Sequence, residues 1–366
     1  MLKESPEGLN VEGKFDIHLH GIAGFAFDDI LSHSSLPFEP LETISSKLFE
    51  AGTTDYLAGL ITKPWDDMLE AVRIAADYCD KVIAEESASE QQIKKAQCHG
   101  IYLEGPFISP QHKGAHDASA LIDPALDRIK ELLDAARGHL RMITVAPELK
   151  YGLEAVETLT KHGVVAAFGH SDADYDTTWE SISLGQKHFT HLFNAMNPIH
   201  HRKPGPIIAA LEAYRQGKDI TVEVINDGVH LHSSIVKWAF NNFSIQDKAN
   251  LSCTDELDSS NQTPSISSEN QVDERPQTGV VLITDSMSAT LLGDGKYRLG
   301  SLDVEVKGGK AVLAGTDTIA GSTLTLAKGV RNTADLGVDP ALIDQACWRN
   351  PLRLFKSASS GKNETS

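Results

Sequence analysis

Long apolar runs, closely spaced cysteines and an excess of positive charge are all missing from this chain of 366 residues. No stretch approaches the roughly 18 apolar residues of a membrane span, and the opening MLKESPEGLNVEGKF lacks the apolar core of a secretory signal. The four cysteines, Cys79, Cys98, Cys253 and Cys347, are far apart and show no CxxC spacing. Reduced, unpaired thiols in a reducing compartment follow, and with them a cytoplasmic location. There are 33 basic residues against 51 acidic ones, and the resulting net charge of −18 is spread along the chain. This argues against nucleic acid or an anionic membrane as a partner. It also means that an anionic substrate would need a local basic cluster.

The chain is 41% apolar and 23% charged, the balance of a globular protein with a sizeable core. Its length suits two or three ordinary domains or one large α/β barrel with additions. Short β-rich runs decide between these. They cover 15–20, 53–60, 99–104, 141–146, 164–170, 188–191, 220–226 and 280–285. Helical patterns lie between most of them, at 66–85, 123–136, 153–162, 174–184 and 234–243, with another at 324–336. Eight strand-like runs, most followed by a helix, predict a (β/α)8 barrel over 14–355 rather than an open sheet. A small β excursion is expected over 297–313. The polar segment 254–278 cannot bury enough surface to offset its ordering entropy and is read as a flexible insertion. It precedes the last strand, so it should hang from the N-terminal face of the barrel. The tail 356–366 is read as disordered.

The chemistry-bearing residues fall at the C-terminal ends of these runs. The first run ends Asp16-Ile17-His18-Leu19-His20-Gly21, and residues two apart on a strand face the same side. Two imidazoles on one side can converge on a metal ion. The third run ends in Glu104, the fifth in His170, the sixth in His191 and the eighth in Asp285. Taken singly, a strand-terminal Asp is more often a helix cap and a lone His is more often satisfied locally. Recurrence at corresponding strand ends, which in a barrel ring one mouth, favours a divalent-ion site. Two further histidines, His116 beside Ala115 and His230 following Asp227, sit in loops next to this ring. Arg202 lies in a basic stretch, His200-His201-Arg202-Lys203, after the sixth run. It suggests capture of an anionic group such as phosphate, although a solvated charge cluster is the commoner meaning of such a stretch.

The motifs DIHLHG, AGTTDYLAGLIT, GIYLEGPFISPQHKGAH, FGHSDA, FTHLFNAMNPIHHRKPG, NDGVHLH, LITDSMSAT and AGSTLTLAKGVRN together resemble the N-acetylglucosamine-6-phosphate deacetylase family of the amidohydrolase superfamily. The likeness runs from about residue 14 to residue 352. It implies that Glu104, His170 and His191 hold the principal divalent ion. His18 and His20 would hold a second ion, as in those members that carry the HxH pair. Glu104 would stand where many superfamily relatives have a modified, bridging lysine. Asp285 would be the catalytic base and acid, and His116 would contact the acetyl group. Asn194, Ala195, Arg202, His230 and the turn Ile319-Ala320-Gly321 resemble residues that hold the sugar phosphate, with Ala115 and Asp227 beside them. The resemblance also implies a homodimer in which Arg202 reaches the neighbouring site.

The expected reaction is therefore hydrolysis of the acetamide of N-acetyl-D-glucosamine 6-phosphate, with zinc as the leading candidate metal and iron, manganese or cobalt as alternatives. Two rivals stand beside it. One is a different amidohydrolase reaction, on another N-acetyl amino sugar or a cyclic amide. The other is a relative that binds metal or sugar phosphate without turnover. Members of the family usually carry further strands at both ends that pair into a small β-sandwich, so a reduced or absent sandwich is expected here.

Overall fold

A computed structural model of the chain describes residues 13–31, 38–88, 94–245 and 277–356. Eight parallel strands run in sheet order β1 (Phe15–Asp16), β2 (Asp55–Ile61), β3 (Gln97–Glu104), β4 (Leu140–Val145), β5 (Val165–Phe168), β6 (His188–Phe189), β7 (Thr221–Ile225) and β8 (Val280–Ile283). The helices that follow them are α1 (Glu39–Glu50), α2 (Trp65–Ala88), α3 (Leu126–Ala136), α4 (Gly152–Lys161), α5 (Tyr175–Ser183), α6 (Gly205–Arg215), α7 (Ser233–Asn242) and α8 (Leu326–Asp335). The fold is the (β/α)8 barrel expected from the sequence.

Every residue of β2 and β7 is buried, because the strands carry helices outside and side chains inside. The interior is filled by Phe15, Ile17, Leu57, Tyr102, Met142 and Ile283 among others, while two larger apolar clusters pack the strands against the helices. The C-terminal helix (Asn350–Lys356) brings Phe355 against Phe15, at 5.9 Å between ring centroids.

The ring closes between β8 and the segment after β1 through a few bonds. Asp285 N–H donates to the His18 carbonyl (2.8 Å), and His20 and Gly21 N–H donate to the Ser286 carbonyl (2.7 and 3.1 Å). The buried Asp16 carboxylate accepts from the Thr284 hydroxyl at 2.6 Å across the same seam.

Three antiparallel strands, β9 (Gly295–Leu299), β10 (Leu302–Lys307) and β11 (Lys310–Leu313), form the excursion expected after β8. Their apolar face, with Leu299, Val304 and Val306, packs on Ile61, Ala115 and Met287 beside the mouth of the barrel. Besides the barrel and this sheet, the described residues form only two two-stranded ladders. No accessory β-sandwich is present among them. Of the polar segment 254–278, Gln277 and Thr278 pair antiparallel with Ser244 and Ile245, and 254–276 lie outside the described residues. Of the tail 356–366, only Lys356 is described, closing the last helix. Cys79, Cys98 and Cys347 are buried free thiols, and Cys253 lies outside the described residues. No helix among the described residues is long and apolar enough to cross a membrane.

Candidate metal centre and active site

The ligand-type residues do not sit on the strands themselves, with one exception. Glu104 is the last residue of β3 and still pairs with Ile61. His170, His191 and Asp285 lie two residues beyond β5, β6 and β8, with φ of +48°, +26° and +51°. His18 and His20 likewise lie past the β1 ladder. The sequence reading placed all of them at strand ends. The structure shows the reason for the small offset: the chain must leave the pleat to aim these side chains at one point. Such left-handed backbone in non-glycine residues costs on the order of 1 kcal/mol or more each and persists only where surrounding contacts enforce it.

Two glycines make room for the convergence. A Cβ on Gly59 would lie 2.0 Å from the Leu19 carbonyl oxygen, so only glycine lets β2 approach the histidine segment. Gly105 has φ +82°, and a Cβ there would lie 2.1 Å from Thr62 Oγ1.

Two groups of ligand atoms result. Glu104, His170 and His191 form one, and His18, His20, Glu104 and Asp285 form the other, all of them buried. Glu104 belongs to both. Its Oε1 lies 3.0 Å from His170 Nε2 and 3.0 Å from His191 Nε2, and its Oε2 lies 2.9 Å from His20 Nε2. Asp285 Oδ1 lies 3.4 Å from His20 Nε2 and 3.6 Å from His18 Nε2.

The atoms present fit divalent ions. His170 Nε2 and His191 Nε2 lie 3.0 Å apart. Donors around a four-coordinate ion with bonds of about 2.0 Å sit roughly 3.3 Å apart. His170 Nδ1 donates to the His112 carbonyl (2.7 Å), His20 Nδ1 to the Gly59 carbonyl (3.1 Å) and His18 Nδ1 to the Glu223 carboxylate (2.8 Å). Each bond leaves an Nε2 lone pair facing the centre, as metal-ligating histidines require. His18 Nε2 and His20 Nε2 are buried without any hydrogen bond. The electrostatics agree. Burial pushes His20 down, yet Asp285 and Glu104 outweigh it and lift the imidazole to about 10. Burial likewise pushes Glu104 up, while His18 and the other histidines hold it well below the carboxylate range. The carboxylates thus favour positive charge beside them, the condition that a bound cation needs.

A cavity of about 420 Å³ opens onto this centre. Ala115, His116, Asn194, Ala195, His230, Ile319 and Gly321 line it, as do Glu104, His170, His191 and Asp285. Ala320 is fully buried behind its neighbours, and Gly321 backs onto the Asp285 carbonyl, which accepts from Ser322 N–H at 2.7 Å. Asp227 is not in the lining. It stands behind His230, accepting from Nδ1 at 2.8 Å and turning Nε2 toward Asp285, 3.9 Å away. His116 Nδ1 meets Thr62 Oγ1 at 2.8 Å, and burial pushes its imidazole down to about 4.

Arg202 lies elsewhere. It is exposed, and lines a neighbouring cavity of about 700 Å³ together with Asp172, Asp174, Asp176 and Lys203. No Lys or Arg is among the described residues that line the metal-facing cavity.

Sequence reading missed several contributors. Glu223 is fully buried in β7 and touches His18, His188 and the His191 backbone. Tyr102 packs its ring at 4.7 Å from His18. Gln111, His112, Leu299 and Asp317 also line the cavity. Only Glu223 had a visible signal, a single charge inside the otherwise uncharged run Thr221-Val222-Glu223-Val224-Ile225.

No family model matches the chain. Among known proteins it is similar to N-acetylglucosamine-6-phosphate deacetylase of Bacillus subtilis, 32% identical over 326 residues, covering 89% of this chain and 70% of that protein. An N-acetylgalactosamine-6-phosphate deacetylase of Escherichia coli O157:H7 is 28% identical over 93% of this chain and 76% of its own length. Among solved structures, a mutant N-acetyl-D-glucosamine-6-phosphate deacetylase of Mycobacterium smegmatis in complex with N-acetyl-D-glucosamine-6-phosphate superposes with TM-score 0.74 and 34% identity, covering 94% of this chain and 77% of that one. With this barrel, this doubled set of ligands and these relatives, the chain belongs to the N-acetylglucosamine-6-phosphate deacetylase family of amidohydrolases.

Proposed function

We propose that the chain hydrolyses the acetamide of N-acetyl-D-glucosamine 6-phosphate, giving D-glucosamine 6-phosphate and acetate, with one or two divalent ions per chain. The observation that carries this reading is Glu104 shared between two groups of buried ligands at the floor of one cavity. Glu104, His170 and His191 would hold the principal ion, and His18 and His20 with Asp285 a second. Imidazole and carboxylate donors suit zinc first, with iron, manganese or cobalt as alternatives. When bound, a divalent ion lowers the pKa of water from 15.7 to about 7 and polarises the scissile carbonyl.

The remaining work falls to side chains. Asp285 takes the proton of the attacking water as the C–O bond forms, and returns it to the amide nitrogen as the C–N bond breaks. His116 meets the carbonyl oxygen. Its tautomer depends on Thr62, whose single hydroxyl proton is shared between the Glu104 carbonyl (3.0 Å) and His116 Nδ1. When the hydroxyl turns to Nδ1, Nε2 carries the proton and can donate to a developing oxyanion. Asn194, Ala195, His230 and the 319–321 turn would hold the sugar.

The cavity of one chain offers no Lys or Arg to a phosphate among its described lining, which supports a homodimer in which Arg202 of a second copy completes the site. The buried free thiols suit a reducing, cytoplasmic setting.

The test is acetate release from N-acetylglucosamine 6-phosphate before chelation, after it, and with zinc restored. Turnover that disappears and returns supports the reading, whereas a folded protein inactive with every metal sinks it. The galactosamine epimer serves as the competing substrate, because one relative is named for it. A higher kcat/KM for the epimer would reassign the sugar and leave the chemistry intact.

A further inference from the structure

We propose that Glu223 is a positioning residue for the metal centre, holding His18 ready as an ion ligand and fixing the turn that carries His191. The inference rests on the reading that the cluster holds ions. Glu223 sits in the middle of β7, where Val222 and Val224 pack outward and Glu223 faces the barrel interior. It is 0% exposed. Burying a carboxylate is strongly unfavourable unless its oxygens are fully engaged, so a residue kept in this position for packing alone would be apolar.

Its oxygens are engaged by three donors. Oε2 accepts from His18 Nδ1 at 2.8 Å and from the His191 backbone N–H at 2.9 Å. Oε1 accepts from His188 Nε2 at 3.0 Å. An ionised carboxylate only accepts, so these contacts dictate the proton positions. His18 must carry its proton on Nδ1, which leaves the Nε2 lone pair toward Glu104 and Asp285. His188 must carry its proton on Nε2, so its Nδ1 accepts from the Thr221 hydroxyl at 2.8 Å. His188 and Thr221 thus steady Glu223, and Glu223 steadies one histidine from each ligand group. A single carboxylate therefore sets the register between the β1 and β6 ends of the centre.

Two measurements test this. In ¹⁵N-histidine spectra of the zinc-loaded wild-type protein, His18 should carry its proton on Nδ1, and a proton on Nε2 would overturn the proposal. Zinc titration of the chelator-stripped wild-type protein, followed by calorimetry, should then be compared with Glu223→Gln. The amide of the variant can keep the bonds to His18 and His191 while losing the charge, and His188 can reverse its tautomer to match. Zinc affinity on the His18 side should weaken about 10- to 100-fold, with the ion of Glu104, His170 and His191 little changed. In a His18→Gln background the same change should have no further effect on zinc. Two zinc ions bound by Glu223→Gln as tightly as by wild type overturn the proposal and leave the deacetylase reading standing. A wild-type protein that binds no zinc removes both.

Discussion

Asp285 is held from two sides. Its backbone N–H is tied to His18 and its carbonyl to Ser322, while its carboxylate faces His20, His18 and, at 3.9 Å, His230. Burial pushes this carboxyl up, but His20 and His18 outweigh it and keep it ionised, the form a proton acceptor needs. Asp285→Asn should therefore keep the ion of Glu104, His170 and His191 while kcat falls about 10²- to 10⁴-fold. Metal analysis alongside acetate release decides this, and near-normal turnover would refute the role. At this scale the sequence revealed what has intrinsic ligand chemistry. His18, His20, Glu104, His170, His191 and Asp285 could be singled out because each combines a donor side chain with a strand end. Thr62 and Tyr102 could not, because a hydroxyl or a ring acquires its role only from the partner that the fold brings to it, and Glu223 showed only as a lone charge in an uncharged run, with no sign of which groups it would meet. Arg202 was legible as a basic loop residue, but its separation from the cavity of its own chain exists only in three dimensions.

At the scale of elements, all eight barrel strands could be read from β-rich runs, and six of the helices from their apolar stripes. α1 and α6 escaped. α6 reads Gly205-Pro-Ile-Ile-Ala-Ala-Leu-Glu-Ala-Tyr-Arg215 and buries most of its positions, so no polar face marks its period. The approach of β2 to the histidine segment supplies one prediction. Gly59→Ala would force a methyl onto the Leu19 carbonyl and shift His20, whose Nδ1 leans on the Gly59 carbonyl. A stability loss of about 1–3 kcal/mol is expected, with weakened zinc binding. Thermal unfolding and zinc titration measure both, and an unchanged pair of values would contradict the packing argument. A second concerns α1, whose Glu42 is gripped by Lys81 of α2 and by Lys95 ahead of β3. Burial pushes Glu42 up, but the two lysines outweigh it and hold it below its ordinary 4.5. The stabilisation is thus present above the unfolded value near 4.5 and lost as pH falls through the lower folded value. Glu42→Gln should cost about 0.5–1 kcal/mol at pH 7, given its partial exposure, and the gap in Tm should shrink as pH falls from 4.5 and close once it has passed the lower folded value. A gap that persists in acid would mean that the lysines are not its cause.

For the whole molecule, the net charge of −18 repels an anionic substrate at long range, so local cations must do the capturing. If a second copy supplies Arg202, Arg202→Ala should lower kcat/KM for the phosphorylated sugar by tenfold or more and leave the unphosphorylated sugar nearly unaffected. Equal losses on both substrates would deny it a phosphate role. The seam between β1 and β8 has a consequence of a different kind. The two edges of the ring meet through backbone bonds of His18, His20, Gly21 and Asp285, and the side chains of His18, His20 and Asp285 form one ligand group. An ion there would act as a clasp across the ring, so that loading the centre would tighten the barrel at this seam. Amide exchange should report this: with zinc added to stripped protein, the amides of His20, Gly21 and Asp285 should slow together while those inside β3 and β4 keep their rates. If the seam amides ignore the metal, the hydrogen bonds of the seam hold the barrel closed by themselves and the ion serves only the reaction.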